Sequence, residues 1–237
     1  NFLLIFLTSF VLGLSLYPVF IRLYTKNNIV DKRGIRKVHL TEVPTMGGVP
    51  IFLAFLVATF IWISSTELQE QRYLLGTLLF IFFLGLRDDF INLRPSVKLI
   101  SQIIPGITIF YLSDIRLTSL YGLIESGPFS FYISLPLTIF TIIVITNSFN
   151  LIDGLDGLAG TIGFIVLLTF GTWFALTDHP SFALLMFAMA GSILAFLRFN
   201  WQPAKIFMGD TGALCLGFFF SIITIKFLNI NFSLNVD

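Results

Sequence analysis

Residues 2–24 read FLLIFLTSFVLGLSLYPVFIRLY and carry one charged side chain, Arg22, in 23 positions. A helix needs about 20 mostly apolar residues to cross the hydrocarbon core of a bilayer. The run is longer than the apolar centre of a secretory signal peptide, and no small-residue cleavage site follows it. We therefore predict that residues 2–24 form a first transmembrane helix and not a removable leader.

The same apolar pattern recurs along the chain, which has 237 residues, 56% of them hydrophobic and only 11% charged. Soluble domains contain about one-quarter charged residues, so the composition indicates a membrane protein. We predict an all-α, polytopic transmembrane bundle of about eight spans in one integral-membrane domain, 1–237, truncated at the C-terminus. Its further spans are predicted at 48–65, 72–87, 97–113, 131–147, 158–177, 181–198 and 212–229.

Basic residues divide the predicted loops into two sets. Of the 14 lysines and arginines, all but Arg72, Arg116 and Lys226 fall in one set of loops. By the positive-inside rule that set is cytoplasmic, and the N-terminus is outside. No basic block is long enough to indicate nucleic-acid binding, and the single cysteine, Cys215, excludes an intrachain disulfide.

Five aspartates from three separate stretches fall on the predicted cytoplasmic side. A carboxylate near the bilayer costs a few kcal/mol, so several at one face need a partner. We predict a divalent cation, bound where the three stretches meet. The acids are Asp88, Asp89, Asp153, Asp156 and Asp210.

The first stretch, GLRDDFINLRPSVKL at 85–99, has adjacent aspartates that cannot face the same way on a regular helix. Asp88 and Asp89 are therefore expected to have different roles, with Asn92 on the helical face of Asp88. Arg94 and Lys98 add positive charge nearby. A polar helix end with capping acids is the alternative interpretation.

The second stretch, NSFNLIDGLDGLAG at 147–160, combines acids, asparagines and glycines at a spacing of three. If a helix starts there, Asp153 and Asp156 lie on one face, and the glycines leave room for a phosphate ligand or another backbone. Asn147 and Asn150 would supply neutral donors and acceptors. A glycine-rich turn that packs helices closely would explain the glycines without the acids.

The third stretch, KIFMGDTGALCLGF at 205–218, places Asp210 just before the last span, where it could cap the helix, bind a metal, or do both. A fourth segment, DKRGIRKVHLTEVPTMGG at 31–48, is basic and ends in a glycine pair. Free backbone N–H groups and cations there would suit phosphate groups. Topology and lipid headgroups explain its charge equally well, but not His39 or the glycines.

Four motifs in this order, RKVHLTEVPTMGG, DDFIN, NSFNLIDGLDGLAG and FMGDTGALCLGF, resemble those of the bacterial polyprenyl-phosphate N-acetylhexosamine-1-phosphate transferases. The likeness covers nearly the whole chain. It implies Asp210 as the metal-binding acid, for Mg²⁺ or Mn²⁺. It also implies catalytic roles for Asp88, Asp89, Asp153 and Asp156, and substrate binding by His39, Lys98 and Asn150.

The resemblance implies an enzyme of the bacterial cytoplasmic membrane, with its active site facing the cytoplasm and compatible with homodimerisation. Such an enzyme transfers a hexosamine-1-phosphate, here expected to be GlcNAc-1-phosphate, from a UDP-sugar to undecaprenyl phosphate and releases UMP. The reaction starts cell-surface polysaccharides such as lipopolysaccharide or teichoic acid. Direct attack by the lipid phosphate and a covalent aspartyl intermediate both remain open.

Two features depart from the family pattern. A His-rich loop late in the chain is absent from this sequence, and Asn92 stands where several relatives have an acid. The phospho-MurNAc-pentapeptide transferase branch is the alternative within the family. An ion-coupled transporter is the alternative from another class, although transporters place such acids near the bilayer midplane.

Overall fold

The computed structural model describes residues 1–27, 29, 43–122 and 127–236, with side chains up to Leu234. Helices account for most of this part of the chain, and each of the eight coincides with one predicted span. Their bounds are α1 Phe2–Lys26, α2 Gly48–Trp62, α3 Ser65–Phe90, α4 Pro95–Leu112, α5 Phe131–Ile152, α6 Leu158–Leu176, α7 Pro180–Asn200 and α8 Gly209–Val236.

Six of the helices are long and apolar enough to cross a membrane, namely α1, α4, α5, α6, α7 and α8. Helix α2 is equally apolar but has only 15 residues. Helix α3 is long enough, but its first two turns are polar and begin with a Ser64–Glu67 capping box, which is typical of a helix that starts in water. The predicted fold, a polytopic helical bundle, is confirmed.

Helices α7 and α8 form the centre of the bundle. The most apolar windows of α7 and α8 are 78% and 72% buried, whereas those of α1, α4, α5 and α6 are 22–33% buried. Helices α1, α2 and α6 pack on α7, and α3 and α5 pack on α8. Since a helix surrounded by protein needs no polar face, α7 and α8 are apolar on all sides.

Two expectations about helix ends are wrong. Helix α5 continues to Ile152, so Asp153–Gly157 is a turn between α5 and α6. Asp153 and Asp156 therefore do not share one face of a helix. Helix α3 ends at Phe90, so Asn92 lies beyond it and is exposed, away from the helical face of Asp88. In both cases a turn begins where the periodic pattern could have continued.

Candidate active site

The start of α8 is held by two segments that pair through their backbones, residues 44–48 and 205–208. The amide nitrogens of Gly47 and Gly48 donate to the carbonyl oxygens of Phe207 and Met208, each at 2.8 Å. The amide of Phe207 returns a bond of 2.8 Å to Pro44. The glycine pair therefore uses its N–H groups within the protein, and the expectation that they are free to bind phosphate is wrong.

Glycines let the neighbouring helices come close to this start. A Cβ atom on Gly48 would lie 2.1 Å from the amide nitrogen of Gly212 in α8. A Cβ atom on Gly85 in α3 would lie 2.6 Å from Cα of Thr211. Both distances are shorter than any real contact, so only glycine permits this backbone separation.

Asp89 caps α8 from the neighbouring helix α3. Its carboxylate accepts hydrogen bonds from the amides of Asp210, at 2.8 Å, and Thr211, at 2.9 Å, and from the Thr211 hydroxyl at 2.5 Å. These N–H groups have no partner within their own helix, and the helix dipole favours a negative charge there. The capping role considered for Asp210 thus belongs to Asp89.

Asp88, one residue earlier, faces α4. Its side chain is 1% exposed, accepts a bond of 2.7 Å from the amide of Leu93, and forms an ion pair with Lys98. Lys98 also contacts the Asp210 carboxylate at 3.2 Å. One ammonium group therefore lies between two carboxylates and joins α3, α4 and α8.

The end of α5 completes the arrangement. Asn150 donates to Asp210 Oδ1 at 2.5 Å, and the Asp153 carboxylate accepts from the amide of Gly209. Burial raises the pKa of Asp153 to about 7, and the negative charges of Asp210 and Asp89 contribute to the rise. We call Asp88, Asp89, Asp153 and Asp210 the carboxylate cluster. Lys98 is the cation that contacts it in the described part of the chain.

Asp156 is not part of the carboxylate cluster and contacts a different segment of the chain. Its Oδ2 accepts from the amide of Ala204, at 3.0 Å, in the segment between α7 and α8. Asn200 strengthens the same junction, because its Oδ1 accepts from the Gly157 amide and its Nδ2 donates to the Ile206 carbonyl. Sequence reasoning missed Asn200. A polar residue at the end of an apolar helix was the available signal, and it is 4% exposed.

The structure therefore brings together Asp88, Asp89, Lys98, Asn150, Asp153 and Asp210, at the ends of α3 and α5 and the starts of α4 and α8. His39 lies outside the described residues. Within the described ranges, no group of three or more histidine, cysteine, aspartate or glutamate side chains is arranged to hold a metal ion. The donor set nevertheless consists of carboxylate and amide oxygens, the ligands that Mg²⁺ prefers.

The fold and the site define a multi-pass integral membrane protein with a polar, carboxylate-rich centre at one end of its bundle. Comparison with known families gives the particular assignment. The pattern described as Glycosyl transferase family 4 matches residues 71–228, and the chain belongs to this family. The match includes every residue of the carboxylate cluster.

Relatives from two branches are similar to the chain. The "Probable undecaprenyl-phosphate N-acetylglucosaminyl 1-phosphate transferase" of Bacillus subtilis (strain 168) is 34% identical over 93% of this chain and 61% of the relative. A "Phospho-N-acetylmuramoyl-pentapeptide-transferase" of Wolbachia sp. subsp. Drosophila simulans is 33% identical, over 90% of this chain and 71% of the relative. One of the same description from Streptococcus gordonii is 34% identical, with 89% and 69% covered. The chain thus spans about three-fifths to seven-tenths of these relatives.

Proposed function

We propose that the chain forms the centre of a membrane enzyme that transfers GlcNAc-1-phosphate from a UDP-sugar to undecaprenyl phosphate and releases UMP. The observation that carries this proposal is the meeting of Asp88, Lys98, Asn150 and Asp210, which come from four helices. Family membership and the names of the relatives support the same reaction class. We further propose that the site faces the cytoplasm of a bacterial inner membrane and starts a cell-surface polysaccharide.

The electrostatics of the cluster support a requirement for Mg²⁺. Four carboxylates meet here and only two of them, those of Asp88 and Asp210, contact the Lys98 ammonium. The substrates would add two further phosphorylated anions. Mg²⁺ in phosphoryl-transfer sites is commonly held by one or two carboxylates together with substrate phosphates, so a complete protein cage is not needed. Asp210 would hold the ion, and Asp153, whose charge interacts with that of Asp210, is a candidate for a second ligand. When bound, Mg²⁺ supplies positive charge that offsets the repulsion between the reacting phosphates.

The side chains of this chain have distinct roles in the proposed reaction. Asn150 orients the Asp210 carboxylate, and Asp89 holds the start of α8 so that Asp210 keeps its position. Lys98 is 23% exposed, so its ammonium can reach a substrate phosphate while remaining near Asp88. Asp156 positions the turn after α5 against the segment that leads into α8.

The reaction needs little base catalysis. The second pKa of a phosphate monoester is about 6, so the lipid phosphate is largely a dianion at neutral pH. An oxygen of that phosphate forms a bond to the β-phosphorus of the UDP-sugar, and the bond from this phosphorus to the UMP oxygen breaks. The charge of the leaving UMP is then the main quantity to stabilise. We favour this direct attack over an aspartyl intermediate.

The choice of GlcNAc rests on the resemblance of the RKVH segment, residues 36–39, to enzymes that begin O-antigen, enterobacterial-type or teichoic-acid polymers. The similarity to the two groups of relatives, 34% and 33–34%, does not separate them. We therefore propose GlcNAc-1-phosphate as the transferred group, and the phospho-MurNAc-pentapeptide branch is the second candidate. Homodimerisation is likewise a proposal.

The test is UMP release by the purified, full-length protein in the presence of undecaprenyl phosphate and Mg²⁺. The donors are UDP-GlcNAc, UDP-GalNAc and UDP-MurNAc-pentapeptide, each with a control that lacks the lipid. We expect lipid-dependent release from UDP-GlcNAc. Release from the pentapeptide donor alone would move the protein to the other branch. Uptake of a solute without release from any donor would support a transporter instead.

A further inference from the structure

A cavity lined by both polar and apolar side chains lies at the opposite end of the bundle from the carboxylate cluster. It has a volume of about 230 Å³ and is lined by Glu70, Gln71, Ser113, Phe182, Lys226 and two aliphatic side chains. We call it the distal pocket. Lys226 follows Asp210 by 16 residues on α8, so the two sites are about 24 Å apart along that helix at 1.5 Å per residue.

The size of the distal pocket limits its ligand. Its volume corresponds to about eight water molecules at about 30 Å³ each. Pockets for drug-sized ligands have about 300–1,000 Å³, so a nucleotide sugar would not fit. A group of fewer than about ten non-hydrogen atoms would, and a phospholipid headgroup is in this range.

Lys226 is a partly buried cation without an ion-pair partner in the described part of the chain. Its ammonium lies 5.4 Å from the centroid of the Phe182 ring, which gives it a weak cation–π contact. Glu70 and Asp114 are close enough to attract this charge, but no ion pair joins either of them to Lys226. The ammonium is therefore free to bind an anionic group in the pocket.

Glu70 supplies the opposite charge at the same pocket. Glu70 is exposed and also lines the pocket, so an anion alone would bind near an unfavourable carboxylate. Gln71, which also lines the pocket, is 4% exposed, and its amide is oriented by a bond of 3.2 Å to the Ser181 hydroxyl. A ligand with one positive and one negative group would match both side chains.

The position of the pocket along the helices matches the depth of lipid headgroups. The first two turns of α3 are polar, and Ser113 immediately follows the last residue of α4. Directly before Ser113, Tyr111 and Leu112 are 56% and 53% exposed, which gives acyl chains an apolar surface beside the pocket. Aromatic residues of this kind are enriched at the membrane–water interface.

We propose that the distal pocket binds the zwitterionic headgroup of an aminophospholipid. The phosphate contacts Lys226 and the Ser113 hydroxyl, and the primary ammonium contacts Glu70. Phosphatidylethanolamine has both groups. Phosphatidylglycerol lacks the amine, and phosphatidylcholine has a cation without N–H donors.

Native mass spectrometry of the full chain tests this with the three lipids, matched in acyl chains and titrated separately. We expect phosphatidylethanolamine to bind about tenfold more tightly than the other two, the effect of one charge-assisted hydrogen bond. Glu70→Gln should abolish the preference, whereas Lys226→Gln should weaken the binding of all three lipids, because each of them has a phosphate. The control is Arg72→Gln, which removes an exposed cation at the same end but outside the pocket and should leave the preference unchanged.

Other outcomes would overturn the proposal. Equal binding of phosphatidylglycerol and phosphatidylethanolamine would indicate a simple anion site, and competition by millimolar inorganic phosphate would indicate a free anion as ligand. An unchanged preference in Glu70→Gln would exclude the ammonium contact. Because Glu70 is exposed, this variant is expected to fold even if Lys226→Gln does not. None of these measurements depends on transferase activity.

Discussion

At the scale of single residues, Asp88 and Asp89 are adjacent in sequence but hold different helices. Successive side chains on an α-helix point about 100° apart, so one faces α4 and the other α8. Asp88 is paired with the ammonium group of Lys98, whereas Asp89 accepts hydrogen bonds from the backbone of α8. Substitutions at Asp88 and Asp89 should therefore have different effects on the protein, and a substitution at Asp210 should have a third.

For Asp210 we predict loss of catalysis without loss of folding. Asp210→Asn keeps an oxygen that can accept from Asn150, and the cap of α8 is supplied by Asp89, so the melting temperature should stay close to wild type. The change removes the negative charge proposed to hold Mg²⁺. We expect kcat for UMP release to fall by about 100-fold or more, as when a single electrostatic contact to the transition state is lost.

The matched control is Asp178→Asn at the end of α6. Asp178 has φ = 58°, a left-handed conformation that asparagine adopts well, so this variant should have wild-type activity and stability. Wild-type turnover and Mg²⁺ dependence in Asp210→Asn would exclude Asp210 as the centre of a metal site.

Lys98 should affect stability as well as activity. Lys98→Gln leaves the carboxylate of Asp88 buried without its cation, and breaking a buried ion pair costs about 3–5 kcal/mol. Since Lys98 is 23% exposed, we expect a loss near the lower end, about 3 kcal/mol, measured by denaturation in detergent. Adding Asp88→Asn should restore most of the stability, because the unpaired charge is then gone, but not UMP release. Additive losses in the double variant would contradict the pairing.

At the scale of the secondary-structure elements, the start of α8 is the point on which the site depends. Helices α2 and α3 contact it through glycines, and Asp89 satisfies its first amides. The side chains of Asp210 and Thr211 can keep their positions only if these contacts keep the helix in register. We infer that small displacements of α8 will alter activity even where no polar group changes.

Helix α3 offers a matched pair of substitutions to test this. Gly85→Ala would place a methyl group 2.6 Å from the backbone of Thr211, and such overpacking costs about 1–3 kcal/mol. Gly76→Ala, on the same helix, meets no atom within 4 Å and should stabilise α3 by up to about 1 kcal/mol. The melting temperature and the rate of UMP release should both fall in Gly85→Ala, and neither should fall in Gly76→Ala. Equal behaviour of the two would show that α3 does not constrain α8.

At the scale of the whole molecule, the fold was the most predictable feature. Long, mostly apolar runs form helices regardless of their neighbours, so the presence of all eight helices could be predicted from composition and length. The sequence also predicted that Asp88 and Asp89 lie at the same end of the bundle as Asp210, because spans of alternating direction return the chain to that end. What could be predicted was thus the set of groups at that end.

The pairing of those groups could not be predicted. Which carboxylate caps α8, which one pairs with Lys98, and why Asp156 turns to Ala204 depend on how separate helices are rotated against each other. The sequence pattern within one helix does not contain that rotation. The glycine pair at 47–48 illustrates the same limit, since a free N–H and one bonded to Phe207 look identical in a sequence.

The orientation of the bundle is a further prediction for the whole molecule. Single cysteines at Arg94 or Lys205 should be protected from an impermeant thiol reagent in intact cells, whereas a cysteine at Gly127 should react. The native Cys215 is buried and should remain silent. Labelling of Arg94→Cys or Lys205→Cys in sealed cells, with protection of Gly127→Cys, would reverse the topology.

The pairing of residues 44–48 with 205–208 also has a consequence for biosynthesis. Gly47 and Phe207 are 160 positions apart in the chain. Because ribosomes add about 5–20 residues per second, Phe207 is synthesised roughly 8–32 s after Gly47. Inside the hydrocarbon core of the membrane, unpaired backbone N–H groups would each cost several kcal/mol of free energy during that interval. At the end of the bundle water can bind them meanwhile, so this late bond between distant segments can form after the intervening helices have been inserted.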